Sequence, residues 1–226
     1  MFEIEAGTLA DWLDKLKSEE YQLKITPEGW RVSGPDTENI MFVEALLKKE
    51  AFLKYEEIER TVPVDSHSRL KSFVDRFSGK MTVTLEENRL VLKEEGKGAK
   101  MSLGHEDIVQ EFSEPKLVYD KWFRVNVKIF SESIKDAKLL SRNRYELSVK
   151  DKVFSIKVNN NVDEFVEETK VEYADASCAY GPMIEGIFGN LTGEVDVAFQ
   201  DGAPLMVFCK NKASTVKYIL APRVEE

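Results

Sequence analysis

The sequence is poor in residues that bind metals or form disulfides. Its 226 residues include two cysteines, Cys178 and Cys209, and two histidines, His67 and His105. Two cysteines are too few for a disulfide framework or a zinc site, and a reducing compartment would keep both as thiols. The HExxH zinc motif, a CxxC pair, the GxSxG nucleophile elbow and the P-loop are also absent. We therefore predict no metal, no cofactor and no enzyme activity.

Long apolar runs are missing as well. No stretch approaches the roughly 18 to 20 consecutive apolar residues that cross a bilayer. The first residues, MFEIEAGTLADWL, contain acids where a signal peptide has a basic start and an uninterrupted apolar run. This pattern predicts an intracellular protein with no membrane partner.

Basic residues are outnumbered by acidic ones. The 32 Lys and Arg against 41 Asp and Glu give a net charge of -9. Such a chain as a whole is repelled by polyphosphate, which argues against a simple nucleic-acid binder. The apolar content of 42% is typical of a folded protein, and 226 residues are enough for one large domain or two of about 110 residues.

Alternation of apolar and polar residues dominates the chain and indicates half-buried antiparallel strands. Beyond residues 2–4 and the hairpin at 21–32, we predict strands at 40–46, 59–65, 80–86, 89–94, 99–104, 122–129, 145–150, 153–158, 163–173, 194–200, 204–210 and 214–220. Helical spacing of apolar residues occurs at 8–19, 68–77, 131–143 and 182–191. Ser66 or Ser68 is a suitable N-cap for the second helix and Ser131 for the third.

An internal repeat organises these elements. Tyr21, Leu23, Ile25, Trp30 and Val32 recur 124 residues later as Tyr145, Leu147, Val149, Phe154 and Ile156. We therefore predict an α+β protein of two similar β-rich domains with two short helices each: residues 1–107, a connector at 108–121, and residues 122–226. The inter-helix segment has 45 positions in the first copy (21–65) and 36 in the second (144–179), so the second domain is about one strand shorter.

Several segments resemble one protein family in the same order along the chain. Residues 218–226, YILAPRVEE, closely resemble the ending of proliferating cell nuclear antigen (PCNA), particularly its archaeal form. The segments that resemble other parts of that family are 203–207 (APLMV), 49–56 (KEAFLKYE), 134–137 (IKDA) and 179–181 (AYG). The sequence is thus similar to the PCNA-like DNA sliding clamps.

The resemblance implies a ring-forming clamp fold with outer β-sheets and inner helices. Members assemble head to tail, most often as three subunits, and encircle double-stranded DNA without reading its sequence. The implied partners are DNA polymerase, a clamp loader, ligase and nucleases, which bind through short peptide motifs during replication and repair. The implied location is the cytoplasm for an archaeal-type protein and the nucleus for a eukaryotic one.

A ring around DNA needs positive charge on the helices that face the hole. The four helical segments together carry +1 and the remaining chain -10. The resemblance implies these DNA-facing cations: Lys15, Lys17, Arg69, Lys71, Arg76, Lys80, Lys135, Lys138, Arg142 and Arg144. They would contact phosphates and carry no sequence information. The alternative is that they are ordinary solvated cations, and the fourth helix departs from the family because it has no Lys or Arg.

The resemblance also implies an apolar pocket for client peptides. Its residues would be Ile40, Phe42, Leu117, Val118, Tyr119, Pro204, Ile219, Leu220, Ala221 and Pro222. Pockets that capture a few apolar anchors suit exchangeable binding. The alternative for Ile40, Phe42 and Leu220 is that they belong to the strand core.

Subunit contacts in the family join edge strands of neighbouring subunits. Here the first edge would be residues 99–103 and the second would lie within 163–173. The interface residues would be Lys97, Lys100, Met101, Glu164, Glu167 and Glu168, with charges of opposite sign on the two edges. Because the shortened second domain affects this edge, a homotrimer and a hetero-oligomer both remain open.

Two functions fit this sequence. The first is a DNA polymerase sliding clamp, or processivity factor. The second is a clamp-like paralogue that forms no closed homotrimeric ring and acts as a protein-interaction module or as a modulator of a true clamp.

Overall fold

The computed structural model describes residues 1–104, 112–113, 115–160 and 162–223. The chain forms two compact units, one of Met1–Glu114 with Lys210–Val216 and one of Pro115–Cys209 with Lys217–Glu226. The predicted connector lies outside the described residues at 108–111 and 114, as do His105 and the last three residues of the YILAPRVEE segment.

The first unit contains nine strands and two α-helices among its described residues. They are β1 (Phe2–Glu5), α1 (Ala6–Leu13), β2 (Tyr21–Thr26), β3 (Gly29–Pro35), β4 (Met41–Lys48), β5 (Phe52–Lys54), β6 (Arg60–Val64), α2 (His67–Val74), β7 (Lys80–Glu86), β8 (Arg89–Glu94) and β9 (Lys97–Ser102), with a 3-10 turn at Lys49–Ala51. One sheet has the order β5–β1–β7–β8–β9, and β4–β3–β2–β6 are neighbours in another. An aromatic cluster of Phe2, Trp30, Phe52 and Tyr55 packs in the core.

The second unit repeats this plan with eight strands in the described residues. Its elements are β10 (Phe123–Asn126), α3 (Lys128–Leu139), β11 (Tyr145–Lys150), β12 (Val153–Asn159), β13 (Glu164–Lys170), β14 (Ala176–Tyr180), α4 (Met183–Phe188), β15 (Glu194–Ala198), β16 (Leu205–Lys210) and β17 (Ser214–Leu220). One sheet has the order β13–β12–β11–β14, and β10–β15–β16–β17 are neighbours in another. The described part of this unit has no short strand between β13 and β14 to match β5.

The repeated hairpins occupy the same register in both units. Ile25 lies opposite Trp30 on β2 and β3, and Val149 lies opposite Phe154 on β11 and β12. All four side chains are buried, because successive residues of a strand point to opposite faces and the repeated pattern places the apolar set toward the core. The prediction of a β-rich α+β fold with two short helices in each half is confirmed.

Gly29 makes the turn of the first hairpin possible. Its φ of 143° lies where side chains are rarely tolerated, and a Cβ at this position would lie 2.1 Å from the Leu47 carbonyl oxygen. The second hairpin turns instead at Asp151 and Lys152, with φ of 51° and 64°. Glycine is therefore required in the first copy by the close approach of β4.

Several predicted element boundaries were wrong. α1 ends at Leu13, and the chain continues in looser turns in which the Leu16 N–H donates to the Leu13 carbonyl at 2.9 Å. The predicted strand 122–129 ends at Asn126, because the chain becomes helical at Lys128. Ser131 is therefore not the cap of α3.

The sequence analysis did not predict β5 and β14, but it predicted the cap of α2. β5 has three residues and β14 has the small-residue sequence ASCAY, so neither gives a strong β pattern. The Ser66 side chain accepts the Arg69 N–H and caps α2, as predicted.

Candidate functional site

The predicted DNA-facing cations lie on or shortly after the helices of each unit, except Lys80, which begins β7. α1 lies against α2 in the first unit and α3 against α4 in the second. The Lys71 ammonium on α2 lies 3.3 Å from Asp14, just beyond α1. In the second unit, Phe130 of α3 stacks on Phe188 of α4.

The cations of the first unit differ in their availability. The Arg69 guanidinium pairs with Asp65 at 2.6 Å, and the Lys71 ammonium pairs with Asp75 at 2.6 Å. The Lys80 ammonium lies 2.7 Å from Glu3. Arg76 is exposed, and its side chain forms no ion pair with the residues that the structure describes.

The two lysines after α1 are buried or half-buried. Lys15 is 4% exposed and its ammonium pairs with Asp11, so its position argues against the predicted phosphate contact. The Lys17 ammonium donates to the Asp14 carbonyl at 3.0 Å. Burial lowers the pKa of Lys17.

The cations of the second unit are exposed but mostly have acidic neighbours. Lys135 lies 3.0 Å from Glu132 on the same helix. Lys138 lies 3.8 Å from Glu185 of α4. The helix without Lys or Arg thus places a carboxylate beside a predicted DNA contact.

The predicted arginines of the second unit follow α3. Arg144 pairs with Glu146 at 3.1 Å. Arg142 is exposed and forms no ion pair within the described part of the chain.

A polar cluster holds the start of α2. The Glu19 carboxylate accepts the Ser66 hydroxyl at 2.8 Å and the Ser68 hydroxyl at 2.7 Å. The Tyr21 hydroxyl lies 3.2 Å from Nδ1 of His67. Burial lowers the pKa of His67, because the imidazolium loses its hydration there, while the nearby Glu19 carboxylate partly opposes this effect.

The two predicted pocket residues of the first unit lie at the start of β4, with Ile40 directly before the strand and Phe42 in it. Ile40 is exposed, whereas Phe42 is 8% exposed and lies in the core. The buried Asp36 carboxylate accepts the N–H groups of Ile40 and Met41 at 2.8 and 2.9 Å and fixes the preceding turn. Phe42 therefore matches the alternative prediction that it is a residue of the strand core.

The predicted pocket residues of the second unit divide into a surface layer and a buried layer. Val118 is 84% exposed, and Leu117, Pro204, Ala221 and Pro222 are partly or fully accessible. The Tyr119 hydroxyl donates to the Pro204 carbonyl and links this part of the predicted connector to the segment before β16.

Behind this surface the predicted residues are part of the core. Leu220 is 0% exposed and Ile219 is 6% exposed, so Leu220 matches the alternative prediction of a strand-core residue. The Tyr119 side chain is also buried, and burial raises the pKa of its hydroxyl to about 12.

The predicted subunit-contact strands both lie at sheet edges. β9 is the last strand of β5–β1–β7–β8–β9, and β13 is the first of β13–β12–β11–β14. Met101 is buried, while Lys97 and Lys100 are exposed and Lys97 pairs with Glu94 at 3.4 Å. On the β13 edge, Glu168 is exposed, Glu167 is half-buried, and Glu164 pairs with Lys157.

Sequence reasoning missed the apolar part of the β13 edge. Phe165 and Val166 are exposed large apolar side chains in the middle of an acidic segment. The signal that could have found them is the EFVEE sequence, in which two adjacent apolar residues interrupt the alternation.

The described residues offer neither a membrane-crossing helix nor a metal-binding cluster. None of their helices is long and apolar enough to cross a membrane. Among these same residues, no group of three or more His, Cys, Asp or Glu side chains could hold a metal ion.

Comparisons with known proteins point to one fold and one family. No protein-family model matches the chain. A DNA polymerase sliding clamp of Methanothermobacter thermautotrophicus is 25% identical, and the match covers 92% of this chain and 89% of that protein.

Solved structures share the fold over nearly their full length. A structure of A. fulgidus PCNA bound to the C-terminal region of FEN-1 has a TM-score of 0.87 at 17% identity and covers 100% and 98% of the two chains. PCNA of Entamoeba histolytica has a TM-score of 0.84 at 16% identity, covering 99% and 98%. The PCNA2–PCNA3 complex of Sulfolobus tokodaii has a TM-score of 0.80 at 16% identity, covering 99% and 99%.

Proposed function

Because this chain belongs to the PCNA and DNA polymerase sliding clamp family, which is non-enzymatic, we propose that it encircles duplex DNA and tethers replication and repair enzymes. The observation that carries the proposal is the repeated unit of antiparallel sheets with a packed helix pair. A ring holds DNA by topology, so it requires locally placed cations rather than a basic chain, and a net charge of -9 is compatible with it. We place the protein where the DNA is, in the cytoplasm or, in a eukaryote, the nucleus.

We propose that the helix cations make transient phosphate contacts. The main contacts would come from the cations on or just after α2, namely Arg69, Lys71 and Arg76. Weaker contacts would come from Lys17, Lys80, Lys135 and Lys138. Exposed ion pairs such as Arg69 with Asp65 are worth about 0–1 kcal/mol. A phosphate therefore displaces the acid at little cost, which suits sliding without sequence recognition.

We propose that rings form when β9 of one subunit pairs with β13 of the next. Both strands are edges with free hydrogen-bonding groups on their outer sides. Lys97 and Lys100 would face Glu164, Glu167 and Glu168, and Phe165 with Val166 would supply apolar contact. Head-to-tail contacts of this kind close into a ring when the rotation between subunits permits, as in a trimer of identical or related chains.

We propose that client peptides bind the exposed layer of the second unit around Val118, Leu117, Pro204 and Pro222. The A. fulgidus PCNA in the comparison was solved with a region of FEN-1 bound, and a polymerase, loader or ligase peptide with aromatic anchors would use the same chemistry here. Val118→Asp should abolish binding of such a peptide, while Leu139→Asp, at another exposed apolar residue, should not. Equal binding by both variants would reject this surface.

Oligomeric state and DNA topology test the clamp. Size-exclusion chromatography with light scattering should find a trimer-sized species, either alone or with a related clamp subunit. Loaded protein should be retained on circular duplex and lost once the duplex is linearised. Equal retention on both forms would count against encirclement.

A paralogue that serves as an interaction module is the second candidate. It is favoured by the pairing of seven of the ten predicted DNA-facing cations with acids within 4 Å. A stable monomer that binds client peptides or a true clamp, with no ring-forming partner, would support this candidate and remove the first.

A further inference from the structure

Three arginine residues line one recess of the second unit. Arg142, Arg144 and Arg223 surround a cavity of about 390 Å³ together with Asn143, Asn159 and Glu146. The lining contains no aromatic and no aliphatic side chain. The recess is therefore polar and its lining is mainly basic, whereas the chain as a whole is acidic.

The fold brings these residues together from distant segments. Arg142 and Arg144 follow α3, where Ser141 has a φ of 52° and the chain turns into β11. Glu146 on β11 lies opposite Ala179 of β14. The Ala179 carbonyl accepts the Arg223 N–H at 2.8 Å, so the segment after β17 is held beside Glu146.

The recess carries an excess of positive charge. Its lining contains three arginines and one acid, Glu146, which pairs with Arg144 at 3.1 Å. Arg142 and Arg223 are exposed and form no ion pair with described residues. Glu164, opposite Asn159, is neutralised by Lys157. The lining thus has a net charge of two positive units.

We propose that this recess binds a phosphate monoester carried by a phosphorylated serine or threonine of a partner protein. A guanidinium fork matches the oxygens of phosphate bidentately. A phosphorylated side chain carries about -1.5 to -2 charge at neutral pH, which balances the recess, whereas a carboxylate or a backbone phosphodiester carries about half as much. The amides of Asn143 and Asn159 offer further N–H donors.

The chemistry of the lining favours a phosphorylated side chain over a nucleotide. Binding of single nucleotides in proteins usually uses an aromatic platform for the base, and the lining has none. The proposal does not depend on ring formation, because all six residues belong to the second unit. Failure of ring assembly and failure of phosphate binding are therefore separate results.

The test is a binding titration of the full chain with a short phosphoserine peptide of otherwise neutral residues. We expect saturable binding that inorganic phosphate competes away and no binding of the unphosphorylated peptide. Arg223→Ala and Arg142→Ala should each weaken binding about tenfold or more, as expected for loss of a hydrogen bond to a charged group. Arg223→Lys keeps the charge but loses the fork, so its affinity should fall between those of Arg223→Ala and the unchanged protein.

Arg89→Ala is the matched control, because it removes an exposed arginine of the first unit that belongs to none of the proposed binding sites. Its affinity should equal that of the unchanged protein, and circular dichroism should show all variants folded. Should Arg223→Ala fail to fold, Arg142→Ala decides alone. The proposal is overturned if the unphosphorylated peptide binds equally, if Arg89→Ala loses as much affinity, or if a 5′-phosphorylated oligonucleotide outcompetes the phosphopeptide.

Discussion

Phe130 of α3 and Phe188 of α4 stack face to face, with ring centroids 3.5 Å apart and an angle of 5° between the planes. Both side chains are buried. The helix pair of the second unit is thus fastened by apolar contact. In the first unit, an ion pair between Lys71 and Asp14 lies beside the helix pair, and an ion pair at the surface contributes little.

Removal of one ring of this stack should destabilise the second unit strongly. Phe188→Ala leaves a cavity opposite Phe130, and we expect the free energy of unfolding to fall by about 3–5 kcal/mol. Chemical denaturation measures this difference. Leu139→Ala, at an exposed position of α3, is the control and should change stability by less than about 0.5 kcal/mol.

Two glycines should respond to alanine in opposite directions. Gly29→Ala drives a Cβ into the Leu47 carbonyl and should destabilise the first hairpin by more than about 1 kcal/mol. Gly186 lies within α4, and a Cβ added there would meet no atom within 4 Å, so Gly186→Ala should stabilise by up to about 1 kcal/mol. Thermal unfolding of the two variants should shift in opposite senses; a shift in the same sense contradicts the assignment.

Arg76 and Lys15 should differ in their effect on DNA binding, because Arg76 is exposed and Lys15 is buried. Arg76→Glu places an acid at an exposed position of the proposed DNA lining and should weaken loading onto circular DNA, more at low salt than at high salt. Lys15 is buried against Asp11, so Lys15→Met should leave loading unchanged. Unchanged loading with Arg76→Glu would remove that residue from the lining.

His67 should make stability depend on pH. Its pKa is lowered by burial from the ordinary value of 6.5, so the unfolded chain takes up a proton at a pH where the folded protein stays neutral. The free energy of unfolding should therefore fall as pH drops through 6.5 toward the lowered pKa, and be flat above about pH 7.5.

The matched variant isolates this contribution. His67→Gln keeps a side-chain acceptor for the Tyr21 hydroxyl but does not titrate. The free energy of unfolding of the unchanged protein minus that of His67→Gln should rise as pH increases from about 5.5 to 7.5 and stay constant above that pH. Denaturation across this range measures it. A difference that is constant with pH would contradict the effect of burial.

The apolar part of the β13 edge should control assembly. Phe165→Glu with Val166→Glu adds charge where we propose that a β9 edge docks, so light scattering should show a shift to monomers with unchanged circular dichroism. Leu139→Glu should leave the oligomer intact. An unchanged oligomer in the double variant would move the interface elsewhere.

The sequence predicted the elements that depend on local patterns. The Tyr21 to Val32 hairpin and its copy from Tyr145 to Ile156 follow from period-two burial, and Ser66 follows from the chemistry of helix caps. The start of α3 was not predicted correctly. Asn126 accepts the Lys128 N–H at 2.9 Å and fixes the start of the helix, although Ser131 is a more usual cap residue. β14 was missed because small residues have weak strand preference and become a strand through pairing with β11.

The charges show where the sequence by itself reaches its limit. A count of Lys, Arg, Asp and Glu fixes the net charge at -9, and the order of resembling segments points to a clamp. Only the tertiary structure decided that Lys15 is buried, that Leu220 is core, and that Arg144 and Arg223 line one recess. Sequence patterns report on residues that are close along the chain. Burial and the approach of charged groups depend instead on strand pairings such as Glu146 with Ala179, which join segments far apart in sequence.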